Sequence, residues 1–408
     1  MSSDNKRIYY ACQAVAISDE GWTSSNDLTT DELVHGVQSV GITTNFNLEQ
    51  AFELGQIEIY ENIEGTPDVE VTLEKVIDGY PLIYHMATTG VIGASQTGLA
   101  ARADRKCDLR LGIFDAASNN VAAADENSGN SEVEVYCSGM YVSSVSYTVP
   151  VDGNATESVT LVGNNKQWLA GANTKIVDAS VSGFDGTDQP FAIGTDDDPK
   201  GGVQRREDVM LNASILPTTI FGKGQSLIGS GYGNALVGGT GDPLVHIQNF
   251  TCSVDLGRED ILEFGRKTPY FRPATFPVEV TSEFEVISTS GDWVSAYETG
   301  NSDLYNTSAS GDNLRNECIF LTLRCGVAFD LGNKNKLTSV SYAGGDAGGG
   351  NVSSTFSYSN YNVLDVQDYT HQNYIGFGAV TLGNGAAGGA AKEGKGVVAF
   401  DLGFINEP

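Results

Sequence analysis

The feature that most limits how this chain can fold is that it repeats itself. The segment VHGVQSVGITTNFNLEQAFELGQIEIYENI, from Val34, lies over VHIQNFTCSVDLGREDILEFGRKTPYFRP, from Val245, with a one-residue shift near the start. Gln38 then falls on Gln248, Phe52 on Leu262, Glu53 on Glu263, Gly55 on Gly265 and Tyr60 on Tyr270. Further along, VEVT occurs from Val69 and again from Val278, and SVSY from Ser144 and again from Ser339. Matches kept in the same order at similar spacing predict two diverged copies of one unit, which constrains the architecture before any motif is considered.

Each copy opens on a strand. Val40, Ile42, Thr44 and Phe46 occupy every second position, and their equivalents are Phe250, Cys252, Val254 and Leu256, so both segments read as strands with one buried face. After it, Asn47 and Gln50 have the spacing of a helix N-cap and its partner. Leu48, Ala51 and Phe52, like Arg258, Ile261 and Leu262, recur at helical intervals. About two helical turns are therefore expected, ended by Gly55 in one copy and Gly265 in the other. In the next strand Val69, Val71 and Leu73 alternate with Glu70, Thr72 and Glu74; in the second copy Val278, Val280, Phe284 and Val286 oppose Glu279, Thr281, Glu283 and Glu285. One sheet face is thus predicted to be anionic. The run DVMLNASILP from Asp208 matches IYYACQAVAI near the N-terminus and is read as the first strand of the second copy.

Composition agrees with short strands joined by tight turns: 49 of the 408 residues are glycine, and Val, Thr, Ser and aromatics are plentiful. A mainly β chain of this length has room for two compact units. From Gly171 to Gly241 the chain is loop-rich, and near its end a Gly- and Ala-rich stretch separates two strand-like runs, reading as an arm able to pair with a neighbour's sheet edge.

The formal net charge of -29, from 52 acidic and 23 basic residues spread through the structured segments, argues against tight nucleic-acid binding, which rests on Lys and Arg at phosphates. Motifs for chemistry are missing. Asp196, Asp197 and Asp198 lack the spaced ligands of a calcium loop, and Gly224 follows Lys223 where a phosphate-binding loop needs Ser or Thr. His35, His85, His246 and His371 show no metal-ligand spacing, and the six cysteines form no CxxC pair. No catalytic residue, metal or cofactor is expected, and the sequence shows neither a signal peptide nor an apolar run long enough to span a membrane.

The run LGREDILEFGRKTPYFR with the FPVEVTSEFEVISTSGDWVSA that follows it, from Leu256 to Ala296, is similar to the major tail tube proteins of tailed phages. The segment from Val37 to Gly79 resembles the same pattern more loosely, with Gln56, Glu58 and Asn62 where the second copy has Arg266, Thr268 and Arg272. The resemblance implies a mainly β fold of two tandem tail-tube-like sandwich or barrel domains, each with a short helix and related by internal duplication. The first is expected over 1–170, a loop-rich linker over 171–205, and the second, with its C-terminal arm, over 206–408. Six such domains form a ring, so three chains would supply a pseudo-sixfold ring of about 24 inner strands. Glu70, Glu74, Glu279, Glu283 and Glu285 are then candidates to line the lumen, and Gly55, Tyr60, Gly265, Arg266, Lys267, Tyr270 and Arg272 to make contacts between domains or rings.

The partners the resemblance implies are further copies of the chain, tape measure, terminator and baseplate or tip proteins, a sheath where the tail is contractile, and double-stranded DNA passing without specific binding. It places the protein in the virion tail, made and assembled in the host cytoplasm. A capsid decoration or other β-rich virion surface or fibre protein is the alternative.

Overall fold

A computed structural model describes residues 8, 13–20, 33–78, 80–88, 98–114, 131–174, 176, 202–209, 214–221, 245–288, 294, 316–344 and 351–368. The acidic triplet from Asp196, Lys223, His371 and the Gly- and Ala-rich C-terminal arm lie outside the described residues. The first half contributes β1 (Gln13–Asp19), β2 (Val37–Asn45), β3 (Leu48–Phe52), β4 (Ile59–Glu64), β5 (Asp68–Val76), β6 (Lys106–Ile113), β7 (Val133–Pro150), β8 (Thr156–Gly163) and β9 (Asn165–Ala170). Two short helices, α1 (Ile83–Ala87) and α2 (Leu99–Arg102), lie between β5 and β6. The second half contributes β10 (Val245–Asp255), β11 (Glu279–Ser288), β12 (Phe320–Thr322), β13 (Val327–Asp330), β14 (Lys336–Ala343), β15 (Ser353–Tyr361) and β16 (Asp365–Asp368). The chain is mainly β.

One antiparallel sheet runs through both halves in the order β14-β15-β11-β10-β7-β8-β5-β2. β7 belongs to four ladders: Val133–Ser138 pairs with β9 and overlaps the pairing to β6, while Ser144–Thr148 pairs with β8 on one side and β10 on the other. Because side chains alternate across a strand, the register decides what each face carries. One row across the sheet reads Ser39, Glu74, Ser158, Ser146, Ser253, Thr281, Ser359, Lys336. The next row reads Val40, Leu73, Val159, Val145, Val254, Val280, Asn360. The first row is exposed or half-buried, and the second is buried apart from half-buried Val40 at the edge. Hydroxyls and carboxylates therefore dominate one face, and apolar side chains the other.

The two halves match in pairing geometry. β2, β5, β8 and β7 follow one another across the sheet just as β10, β11, β15 and β14 do. The β2–β5 ladder skips Gln38 and the β10–β11 ladder skips Gln248; the β7–β8 ladder skips Ser143 and the β14–β15 ladder skips Thr338. After the first strand of each half the chain turns through a left-handed residue, Asn47 (φ 47) or Gly257 (φ 52), whose N–H is held by the side chain of Asn45 or Asp255.

These registers refine the sequence alignment. Glu74 lies opposite Ser39 beside the first bulge, and Glu285 lies opposite Asn249 beside its counterpart. Glu74 thus corresponds to Glu285, Thr72 to Glu283, Glu70 to Thr281 and Asp68 to Glu279, so the repeated VEVT strings are displaced by two residues. A slip of two keeps every side chain on its own face, which is why the alternation read correctly.

One expectation fails. No helix forms after Asn47 or Gly257. β3 and β4 instead pair as a ribbon, with Leu48 opposite Glu64 and Ala51 opposite Glu61; in the second half the bridges Arg258 to Ala274 and Ile261 to Phe271 stand at the equivalent places. Leu48 and Phe52 are both exposed, so a two-turn helix there would have no core to bury its apolar stripe in, and one that short is unstable alone. The described helices, α1 and α2, both lie elsewhere in the first half. Residues 210–213 of the run read as a strand from Asp208 lie outside the described residues; on either side of them, Arg206–Asp208 is a 3-10 turn, and Val209 and Ile215 make single bridges to Leu323 and Phe320.

A single hydrophobic cluster joins the halves. It includes Leu73, Tyr147 and Leu161 from the first with Phe250, Phe284, Phe329 and Tyr358 from the second. The rings of Tyr147 and Phe329 are 4.8 Å apart, and Phe250 stands 4.9 Å from Phe284. Buried in this layer, Glu157 accepts hydrogen bonds from the N–H groups of Ile83 (2.7 Å) and Tyr84 (3.1 Å) and from the Tyr147 hydroxyl (3.2 Å). Burial outweighs these donors and nearby Lys75, pushing its pKa up to about 7. A raised carboxyl pKa stabilises the fold fully below the unfolded value and loses that contribution as pH rises through the folded one. Urea midpoints should therefore fall between about pH 5 and pH 8 more steeply in the native protein than in Glu157→Gln. Equal slopes would contradict the assignment.

Candidate functional site

With no clustered catalytic side chains in the sequence, the candidate site is a set of surfaces: the polar sheet face, two exposed arms (46–65, built on β3 and β4, in the first half and 256–275 in the second) and the two outer strands of the sheet. Among the described residues no group of His, Cys, Asp and Glu is arranged to hold a metal ion, and no helix is long and apolar enough to cross a membrane.

The polar face carries all five candidate glutamates. Glu70 and Glu74 project from β5, and Glu279, Glu283 and Glu285 from β11; all are exposed except Glu285, which is half-buried. Their neighbours across the ladders are mostly small hydroxyls: Thr43 faces Glu70, Ser39 and Ser158 flank Glu74, and Thr251 and Ser357 flank Glu283. Such side chains leave the carboxylates standing above a low carpet.

The candidate contact residues fall on the arms. Gly55 and Gly265 take left-handed conformations (φ 95 and 86) at the turns of the two arms. Leu54, Ile57 and Phe264 beside them are fully exposed, as are large parts of Tyr60, Leu262 and Tyr270. Arg266 pairs with Glu263 (3.2 Å) on its own arm. Thr66, from the first half, donates its hydroxyl to the carbonyl of Lys267. Arg272 is buried, and its Nη2 donates to Asp68 of the first half and to Asp260, each at 2.8 Å.

The strongest tie between the second arm and the first half is one that sequence reading missed. Arg258 Nη2 donates to the carbonyl oxygens of Ala103 and Val142 (both 2.5 Å), and Nη1 to that of Arg272 (2.9 Å); its guanidinium lies 5.0 Å from the centre of the Tyr141 ring. Burial lowers its pKa to about 10, with Asp104 opposing the shift. Phe271 meets the same ring edge-on at 6.1 Å. Its signal in the sequence is an arginine where the first half has Leu48, a charge inside an apolar frame.

The outer strands differ from their counterparts inside the sheet. On β2 the core-side Val40, Ile42 and Thr44 are half-buried, whereas Phe250, Cys252 and Val254 on β10 are buried. Among the described residues β2 pairs only with β5, and β14 only with β15.

No family model matches the chain, and no curated protein matches it. Solved structures with partial likeness are parts of contractile injection systems. The tube-terminating cap of the anti-feeding prophage is 13% identical over 42% of this chain and 96% of that chain, with a TM-score of 0.29. A chain of the extended sheath-tube complex of the PVC extracellular contractile injection system is 13% identical over 41% and 94%, with a TM-score of 0.28. A chain of the six-fold symmetrised anti-feeding prophage baseplate is 8% identical over 41% and 98%, also at 0.28.

Proposed function

We propose that this chain is a structural subunit of a phage tail tube, without catalytic activity, and that the two matching four-strand runs of its sheet, one from each half, are copies of one unit. The observation that carries the reading is that the chain contains one instance of the contact a ring requires. β7, last across the first half, pairs with β10, first across the second, with Ser144 opposite Asp255 and Ser146 opposite Ser253. β14 and β2 occupy the corresponding places and stand at opposite ends of the sheet. Repeating the contact between chains sets Ser339 of one chain opposite Asn45 of the next, and Ser341 opposite Thr43. Such head-to-tail contacts close a ring when the rotation allows, and a closed ring leaves no strand edge bare.

Three chains then give the six units that the family resemblance implies. The Ser, Thr and Glu face lines the lumen, where its carboxylates repel phosphates and let DNA slide through during ejection. The apolar arm ends suit contacts between stacked rings, since exposed apolar clusters of this kind mark interaction sites. Tape measure, terminator and baseplate or tip proteins, with a sheath in a contractile tail, are the other partners of such a subunit, and the virion tail is its location.

Electron microscopy of the purified protein tests the reading. Hollow rings of three chains, alone or stacked, are expected. Monomers at every concentration, or solid surface assemblies, would favour a capsid decoration or fibre role instead.

A further inference from the structure

The two arms have matching ladders and different surroundings, and the difference identifies what the first arm binds. Leu256, at the base of the second arm, is 1% exposed, with its N–H donating to the Ser143 carbonyl across the junction between the halves (2.8 Å). Phe46, its equivalent at the base of the first arm, is 63% exposed. On the receiving side, Tyr141 is 4% exposed, with Arg258 and Phe271 of the second arm and Lys106 of the first half against its ring. Lys336, which the matching β7 and β14 registers set in the place of Tyr141, is exposed. A base and a seat that meet inside the chain are thus both left open at the two ends of the sheet.

The charges of the open pair are complementary. From Phe46 to Gly65 the first arm carries Glu49, Glu53, Glu58, Glu61 and Glu64 and no lysine or arginine. The open seat carries exposed Lys334 and Lys336. Within the chain the arrangement is reversed, because the second arm supplies the cations Arg258 and Arg272 and the first half supplies Asp68 and Asp104. Arg258 bridges to Ala274, and the equivalent pair in the first arm is Leu48 with Glu64. Glu64 therefore arrives beside the residue standing in for Tyr141.

We infer that the first arm of one chain docks on the start of β14 of a second copy, burying Phe46 and pairing Glu64 with Lys336 of that copy. The inference rests on the ring contact proposed above and adds a clasp of opposite polarity to the one inside the chain. Two unlike clasps would alternate around the ring, so the halves could not exchange places and a chain could not close on itself out of phase.

The test is a charge swap read by ring assembly. Lys336→Glu and Glu64→Lys, both on exposed side chains, are expected to retain the native thermal transition and to raise the protein concentration needed for rings at least about tenfold. The combined Glu64→Lys, Lys336→Glu protein is expected to return to within about threefold of the native concentration. Phe46→Asp, which needs no charge partner, is expected to impair rings in every background. Normal rings from both single reversals and from Phe46→Asp would overturn the clasp while leaving the tube reading intact. Failure of the native chain to form rings would overturn both.

Discussion

Truncating Phe284 to alanine is expected to cost about 3–5 kcal/mol, the usual range for emptying a buried aromatic site. The side chain is fully buried on the core face of β11, 4.9 Å from the Phe250 ring and edge-on to Tyr358 at 6.1 Å. Phe250 in turn reaches Phe329, which packs against Tyr147 of the first half. The loss should therefore not stay in the second half. Denaturant unfolding followed by probes in each half is expected to show one transition in the native protein and in the variant, with the midpoint lowered for both probes together. Separate transitions, or a loss confined to the second half, would mean that the shared cluster does not couple the halves.

The second large effect is expected at Arg258. Replacing it with methionine keeps much of the stem and removes the fork that holds the carbonyls of Ala103, Val142 and Arg272. Its side chain is 5% exposed, so water does not readily take over those acceptors. A loss of about 3 kcal/mol is expected, within the range for breaking a buried charged network from one side. Arg258→Lys should recover only part of it, because a single ammonium cannot span three carbonyls in the geometry of a planar fork. The urea midpoint at fixed slope measures this. A change under about 0.5 kcal/mol in both variants would show the junction to be held by the strand pairing alone.

Much of the architecture was legible because it rests on alternation. The glutamates of β5 and β11 were assigned to one face from a period of two, and the ladders place them there although the aligned VEVT strings are two residues out of step. The arms were misread for a physical reason. Leu48, Ala51 and Phe52 have helical spacing, but that pattern indicates a helix only when there is a core to receive the stripe, and these side chains project from the body of the molecule. Arg258 was hidden for the opposite reason: its partners are main-chain carbonyls, which no side-chain pattern reports. The unlike exposure of Phe46 and Leu256 could be seen only with both strands placed.

In the proposed ring, β14 of one chain pairs with β2 of the next in the register that β7 and β10 use within the chain. That pairing is tested most directly by placing cysteines at Thr43 and Ser341, the counterparts of Ser253 and Ser146, which face each other across that internal contact. Cross-strand neighbours of this kind have Cβ atoms about 4.5–5.5 Å apart, close enough for oxidation or a short bridging reagent to join them. Covalent dimers and trimers are expected on denaturing gels, in a ladder that stops at three chains, with no such ladder for Thr43→Cys or Ser341→Cys alone. A double variant that forms rings yet stays uncrosslinked would contradict the pairing.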